Sequence, residues 1–288
     1  MWLVFAVFSA VSAGFVSITV KIGMKDIDSG MGTFLRTAVV LVFTFLMVLI
    51  VGSLSEIGGI TVWELVFIIS SGVATGLSWL FYFKALQLGS INKVVPVDRL
   101  STVLTMTLAI IIFGEPFGWL TPIAMSIMVL GTMLMISKKK VEPNGEGEGS
   151  GRWLLYAILS LVFASVVAIL AKAGMENVDS NLGTFLRTSV VLLMAFLIAA
   201  GQKKLSGIKE LTKLNWIFIV VSGVLTGISW LCYFAAIQTG PISVIVPIDK
   251  LSILVTVLFS YLLFKEKLNP KAFAGLVLLV GGTLLLLI

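Results

Sequence analysis

Apolar residues run along this chain in long stretches separated by short polar breaks. A transmembrane helix needs about 20 mostly apolar residues to cross a hydrocarbon core of about 30 Å. Ten stretches approach or exceed that length, at 2–23, 32–52, 63–88, 91–113, 117–137, 153–174, 183–201, 214–239, 242–264 and 270–288. Several are continuous, with no period-two alternation, which argues for helices over a membrane β-barrel. The breaks carry turn chemistry: DIDSG at 26–30, SEIGG at 55–59, LGS at 88–90, GEPFG at 114–118 and TGP at 239–241. The one long hydrophilic stretch, KKKVEPNGEGEGSGR at 138–152, has too little apolar surface to bury and reads as a flexible linker. The pattern predicts an all-α polytopic membrane protein of ten transmembrane helices.

The two sides of the linker repeat each other at an offset of 151 residues, without a gap. GTFLRT at 32–37 returns at 183–188, and SGVATGLSWLFYFKALQLG at 71–89 returns as SGVLTGISWLCYFAAIQTG at 222–240. VPVDRLS at 95–101 returns as VPIDKLS at 246–252, and Glu115 returns as Glu266. The organisation expected is a five-helix repeat at 1–137, the linker at 138–152, and a second five-helix repeat at 153–288. Five crossings are an odd number, so the second copy must sit inverted relative to the first.

Charge tests the inversion independently. The loop after the second stretch, SLSEIGGIT, has no Lys or Arg, whereas its counterpart carries Lys203, Lys204, Lys209 and Lys213. GEPFG has none either, while its counterpart has Lys265, Lys267 and Lys271. Lys25 follows the first stretch where Glu176 follows the sixth. With ten spans, all these basic loops and the linker cations Lys138, Lys139, Lys140 and Arg152 fall on one side. The positive-inside rule makes that side cytoplasmic and puts both termini outside.

Composition narrows the function classes. The 288 residues are 59% hydrophobic and 12% charged, about half the charge of a soluble domain. That excludes a soluble globular protein, a disordered chain and a nucleic-acid binder, although the formal charge is +6. With no histidine, imidazole metal sites and histidine proton relays are absent, and Cys232, the only cysteine, leaves no internal disulfide. The apolar start lacks a basic n-region and a small-residue cleavage site, so it is expected to be a retained first span. No phosphate-binding loop, metal-ligand cluster or nucleophile motif points to an enzyme, and no cofactor is expected.

Lys21 ends the first helix and Arg36 comes early in the second; Pro96 lies in an apolar fourth helix that closes in the FGE of 113–115. In this order, met twice, the chain resembles the drug/metabolite transporter superfamily and its EamA-like branch. The resemblance implies export or exchange of small metabolites by alternating access. It implies a central cavity lined by helices 1, 3 and 4 of each half, with helices 5 and 10 peripheral. That family commonly has a basic loop after helix 2 and cytoplasmic termini; here that loop is bare, and the charges are followed.

Two groups of residues are candidates for the site. Thr75, Trp79 and Tyr82 share a face of the third helix, with Ser78 beside them, and Thr226, Ser229, Trp230 and Tyr233 repeat the set in the eighth. Trp79 lies about 5 Å from the middle of its span, too deep for an interface anchor. These side chains either line a cavity or fill space between helices. Lys84, close to Tyr82, has Ala235 as its repeat mate, so it offers one asymmetric cation to a substrate or snorkels to the helix end. In the second group, Asp98 and Asp249 each follow a proline, Pro96 or Pro247, by two residues, and Arg99 and Lys250 follow the acids at once. An acid at mid-span costs about 2.5–3.5 kcal/mol on insertion scales and must meet water or a cation. Lys21 and Lys172, at the ends of the first and sixth helices, are the partners expected from topology, Lys21 lying towards one leaflet with Asp98 and Lys172 towards the other with Asp249. The acids either exchange a proton or meet a substrate ammonium, or they close structural ion pairs. Arg36, Arg187, Glu115 and Glu266 lie near helix ends, where snorkelling or capping accounts for them. Gly131, Gly275, Gly281 and Gly282 make helices 5 and 10 candidates for homodimer contact.

The function expected is a secondary transporter of a small anionic or zwitterionic solute in a cell membrane, with proton coupling through Asp98 or Asp249. The rival on the same fold is a lipid-carrier flippase or an accessory membrane subunit, which takes lipid between its helices.

Overall fold

The computed structural model describes residues 1–23, 27–88, 91–135, 152–202, 205–265 and 269–287. Lys25, the linker 138–151, Lys203, Lys204, Glu266 and Lys267 lie outside the described residues, as do the side chains of Lys93 and Pro96. The first half comprises α1 (Trp2–Gly23), α2 (Ser29–Val51), α3 (Val62–Leu88), α4 (Ile91–Arg99), α5 (Ser101–Phe113) and α6 (Leu120–Met135). The second comprises α7 (Arg152–Gly174), α8 (Ser180–Gly201), α9 (Lys213–Thr239), α10 (Ile242–Lys250), α11 (Ser252–Phe264) and α12 (Pro270–Leu285). Among the described residues there is no strand.

Among the described residues, seven segments are long and apolar enough to cross a membrane: α1, α2, α3, α7, α8, α9 and the α10–α11 stretch Ile242–Phe264. Two shorter apolar helices, α6 and α12, have 16 residues each. The chain is a multi-pass, all-helical membrane protein.

Local chemistry fixes the ends of these helices in matched pairs 151 residues apart. Asp28 accepts from Gly30 N at 3.0 Å and Met31 N at 3.3 Å, and Asp179 accepts from Asn181 N at 3.0 Å and Leu182 N at 3.2 Å. These carboxylates satisfy N–H groups that a helix start leaves without intrahelical partners. Thr61 with Glu64, and Thr212 with Asn215, form reciprocal capping boxes at the starts of α3 and α9. The turn after α5 uses Gly114 in the left-handed region (φ 61°), and the turn after α11 uses Lys265 there (φ 55°).

The apolar stretches at 91–113 and 242–264 read as single helices from sequence, and the structure kinks both. Leu251 N–H bonds Ile248 O at 2.9 Å and Leu100 N–H bonds Val97 O at 3.1 Å, three residues back instead of four. Pro247 lies inside α10, where its ring crowds the preceding turn. The chain absorbs this in one residue of tighter winding; Leu100 and Leu251 keep right-handed helical angles.

The packing directions follow from named contacts. At one end of α1, Trp2 lies against Gly240 at the end of α9; at the other, Asn215 Nδ2 near the start of α9 donates to Gly23 O at 2.8 Å. Thus α1 and α9 run antiparallel. So do α7 and α3: Gly174 abuts Ile68, Ser71 Oγ donates to Val167 O at 3.1 Å, and Phe81 stacks on Tyr156 and Phe163. The 151-residue shift exchanges these two pairs. Gly72 and Gly76 admit Val190 and Met194 of α8, while Gly223 and Gly227 admit Val39 and Phe43 of α2, so both GxxxG pairs serve close packing within the chain. The expectation that Gly131, Gly275 and Gly282 face another protomer is corrected. A Cβ on Gly131 would lie 2.7 Å from Gly275 O and one on Gly282 3.0 Å from Ala124 O, because these glycines are where α6 and α12 cross. Only Gly281 of that set faces open space.

Candidate functional site

The hydroxyls and aromatics of α3 and α9 converge on a buried arginine. Arg187 of α8 is 2% exposed. Its Nη2 donates to Thr75 Oγ1 at 2.7 Å and its Nε to Ser71 Oγ at 3.3 Å. The guanidinium lies over Phe234 at 4.2 Å and Trp230 at 5.3 Å from the ring centroids. Snorkelling to a helix end is therefore wrong for Arg187. It sits only about 5 Å along the helix from the middle of α8, and the aromatic faces and hydroxyls replace water around it. Tyr233 packs edge-on against Phe234, and Ser229 Oγ lies 3.2 Å from Ser9 Oγ of α1. In the first half Ser78 is buried, Trp79 is half-buried, and Tyr82 packs with Ala85, Val94 and Ala157. Lys84 is exposed and donates to Gln87 Oε1 of its own helix at 3.4 Å.

The intramembrane acids meet serines. Ser9 Oγ donates to Asp249 Oδ1 at 2.9 Å, and Ser160 Oγ donates to Asp98 Oδ1 at 3.0 Å. The two serines are 151 residues apart, like the acids, so the same α1–α10 clasp recurs between α7 and α4. The expected partnership of Lys172 with Asp249 is corrected. Lys172 Nζ pairs with Glu115 at 3.4 Å, donates to Gly240 O at 2.7 Å and lies over the Phe113 ring at 5.2 Å. Glu115 in turn accepts from Ile242 N and Ser243 N, both at 2.7 Å, so it caps α10 from the opposite half of the chain. Helix-end position allowed capping but hid which helix is capped. An acid at the N-terminus of α10 also complements the helix dipole, which Asp249, near the other end of α10, cannot do. Lys21 lies over the Phe264 ring at 4.6 Å, matching Lys172 over Phe113.

A cavity of about 480 Å³ lies between the kinked helices and the α6–α12 pair. Arg99 of α4 and Lys250 and Asp249 of α10 reach it, with Thr102, Ser252 and Thr256 following the kinks. Met128, Thr132 and Met133 of α6 form the facing wall. Residues of α3 and α9 are absent from this lining, and so is Asp98. The picture of helices 5 and 10 as peripheral is thus corrected, since α6 and α12 both contribute. The α3 and α9 faces are taken up by Arg187 and by packing. Ser17 and Thr132 are the lining hydroxyls that sequence reading missed; the repeat mate of Ser17 is Ala168 and that of Thr132 is Thr283.

Comparison with known proteins points one way. The EamA-like transporter family matches residues 1–137 and 151–288. A Sinorhizobium protein described as an uncharacterized transporter in the cobO 3′ region is 36% identical over 137 residues, which cover 48% of this chain and 97% of that protein. An uncharacterized transporter of Bacillus subtilis is 28% identical over 60% of this chain and 54% of its own length. One of Archaeoglobus fulgidus is 23% identical over 97% of this chain and 95% of that protein. A crystal structure at 16% identity covers 99% of this chain and 97% of its own, with a TM-score of 0.76, which speaks to the fold.

Proposed function

Since the chain belongs to the EamA-like transporter family, we propose that it is a secondary transporter of small organic metabolites, working by alternating access of two inverted five-helix repeats. The repeats are residues 1–137 and 153–288, joined by the cytoplasmic linker 138–152, with ten spans counted as α1, α2, α3, α4–α5 and α6 and their mates. Antiparallel packing of α1 on α9 is the observation that carries the inversion. Within one repeat the first and third spans run the same way, so antiparallel contact between first and third spans of different repeats requires one repeat to be upside down. At about 1.5 Å per residue, the 16-residue α12 is short for the core and would be met by local thinning of the bilayer.

On this topology Thr132, Met133 and Ser17 lie in the cytoplasmic half, whereas Glu115, Lys172 and Gly240 lie at the outer face. The described conformation then corresponds to a cavity on the cytoplasmic side under a closed outer clasp. Asp249 is the acid that touches both the cavity and the Ser9–Ser229 pair, so it is the coupling group, and Asp98 is its counterpart in the opposite state. The test is solute flux into proteoliposomes under an imposed pH gradient. Loss of gradient-driven flux in Asp249→Asn supports proton coupling; unchanged flux in Asp249→Asn and Asp98→Asn removes both acids from the mechanism.

A further inference from the structure

The charges on the cavity do not cancel. Arg99 and Lys250 occupy equivalent repeat positions, 151 residues apart, yet both reach the same cavity. Between described residues the structure has one ion pair, Lys172 with Glu115, and neither Arg99 nor Lys250 bonds another described residue. Among the described residues Asp249 is the single lining carboxylate, and it already accepts from Ser9. Asp98, which would have balanced the second cation, is held by Ser160 and stays off the wall. Two cations against one occupied carboxylate leave one positive charge at membrane depth, where an unpaired ion is costly. Thr102 is 8% exposed, lines the cavity and has no hydrogen-bond partner among the described residues. The opposite wall is apolar apart from the Thr132 hydroxyl, with Met128, Met133 and Leu279.

We propose that this cavity binds an amphipathic organic monoanion, its acidic head between Arg99 and Lys250 and its apolar body against the α6–α12 wall. An arginine fork and a lysine point charge on opposite sides of one oxyanion neutralise the surplus charge. The Thr102 hydroxyl is a further donor to that head. Asp249 repels a second negative charge and so disfavours dianions. Methionines supply a polarizable surface that adapts to different apolar bodies, which suits a pocket selecting by head group more than by shape. About 480 Å³ is within the range of roughly 300–1,000 Å³ usual for small-molecule pockets. The assignment rests on the transporter reading but can fail separately from it.

The experiment measures ligand-induced thermal stabilisation of the purified full-length chain in detergent, with hexanoate, hexylamine, 1-hexanol and succinate as probes and phosphatidylglycerol in mixed micelles as the lipid arm. Hexanoate should stabilise at the lowest concentration, and Arg99→Gln or Lys250→Gln should each weaken it by about tenfold or more. Neither variant should lower the ligand-free melting temperature, because neither side chain bonds another described residue and each substitution removes an unbalanced cation. Equal stabilisation by hexanol, preference for hexylamine, preference for succinate, or unchanged hexanoate binding in both variants would each overturn the anion assignment while leaving the transporter reading intact. Stabilisation by phosphatidylglycerol at the expense of hexanoate would assign the site to lipid and overturn soluble-solute transport with it. Hexanoate binding that depends on both cations, with no hexanoate flux into proteoliposomes, would support the site and count against the transporter reading.

Discussion

Glu115 is the residue whose removal should be felt most sharply. Its two carboxylate oxygens accept from Ile242 N and Ser243 N at 2.7 Å, and one also meets Lys172 Nζ at 3.4 Å. The Glu115 side chain is 6% exposed and that of Lys172 22%, so the pair is largely withdrawn from water. Hydrogen bonds to a charged acceptor contribute about 1.5–3 kcal/mol each, and breaking a buried pair by deleting one partner costs about 3–5 kcal/mol. Glu115→Ala leaves two backbone donors of α10 without their acceptor and the Lys172 ammonium with only Gly240 O, so the full range applies. Glu115→Gln keeps one acceptor oxygen but turns an amide N–H₂ toward a backbone donor, and should cost about 2 kcal/mol. Lys172→Met leaves the carboxylate on the helix N-terminus, where the dipole still favours it, and should cost about 1 kcal/mol. At about 2–4 °C per kcal/mol for chains of this order, Glu115→Ala should lower the apparent melting temperature by roughly 6–20 °C. The double variant Glu115→Gln, Lys172→Met should lose less than the sum of its parts, by about 1 kcal/mol, because the two side chains touch. Full additivity, or a melting temperature of Glu115→Ala indistinguishable from the parent, would refute the clasp.

Three further outcomes follow from individual contacts. Arg187→Met should be at least as stable as Arg187→Lys in a melting experiment, since it removes a buried cation that has no bonded carboxylate, and Ser71 and Thr75 keep their own acceptors at Val167 O and Ser71 O; a large deficit in Arg187→Met alone would contradict this. Lys265→Gly should raise stability by about 0.5–1 kcal/mol, because the position holds φ 55° and its repeat mate Gly114 already uses the residue that tolerates it. Ser9→Ala should shift the pH profile of transport more than Ser160→Ala does, because Ser9 bonds the acid on the cavity and Ser160 the acid away from it; equal effects would argue against Asp249 as the coupling group.

Much of this architecture is legible in the sequence because duplication writes each signal twice. Turn residues and prolines 96 and 247 appear at one offset, and each pair marks a helix end or a kink. What stayed hidden is rotation of each helix about its axis and tilt of one against another. Periodicity placed Thr75 on a common face with Trp79, yet that face meets Arg187 and not the cavity. Lys172 was assignable to one end of the bundle, where both Asp249 and Glu115 are negative candidates; only the close approach of the GEPFG turn to the start of α10 decides between them. Ser9 and Ser160 were overlooked because a serine inside an apolar helix looks like packing until its carboxylate partner is placed. Arg187 misled for the opposite reason: its place in the first third of α8 suggested access to the interface, whereas Trp230 and Phe234 of α9 cover it.

The antiparallel disposition of the two halves is tested most directly by side-specific cysteine labelling. In a Cys232→Ser background, single cysteines at Ser150 in the linker and Lys271 at the start of α12 are compared with cysteines at Ser55 and Phe117. A membrane-impermeant maleimide should reach Ser150→Cys and Lys271→Cys from one face and Ser55→Cys and Phe117→Cys from the other. Labelling of Ser150→Cys and Lys271→Cys from opposite faces would contradict it.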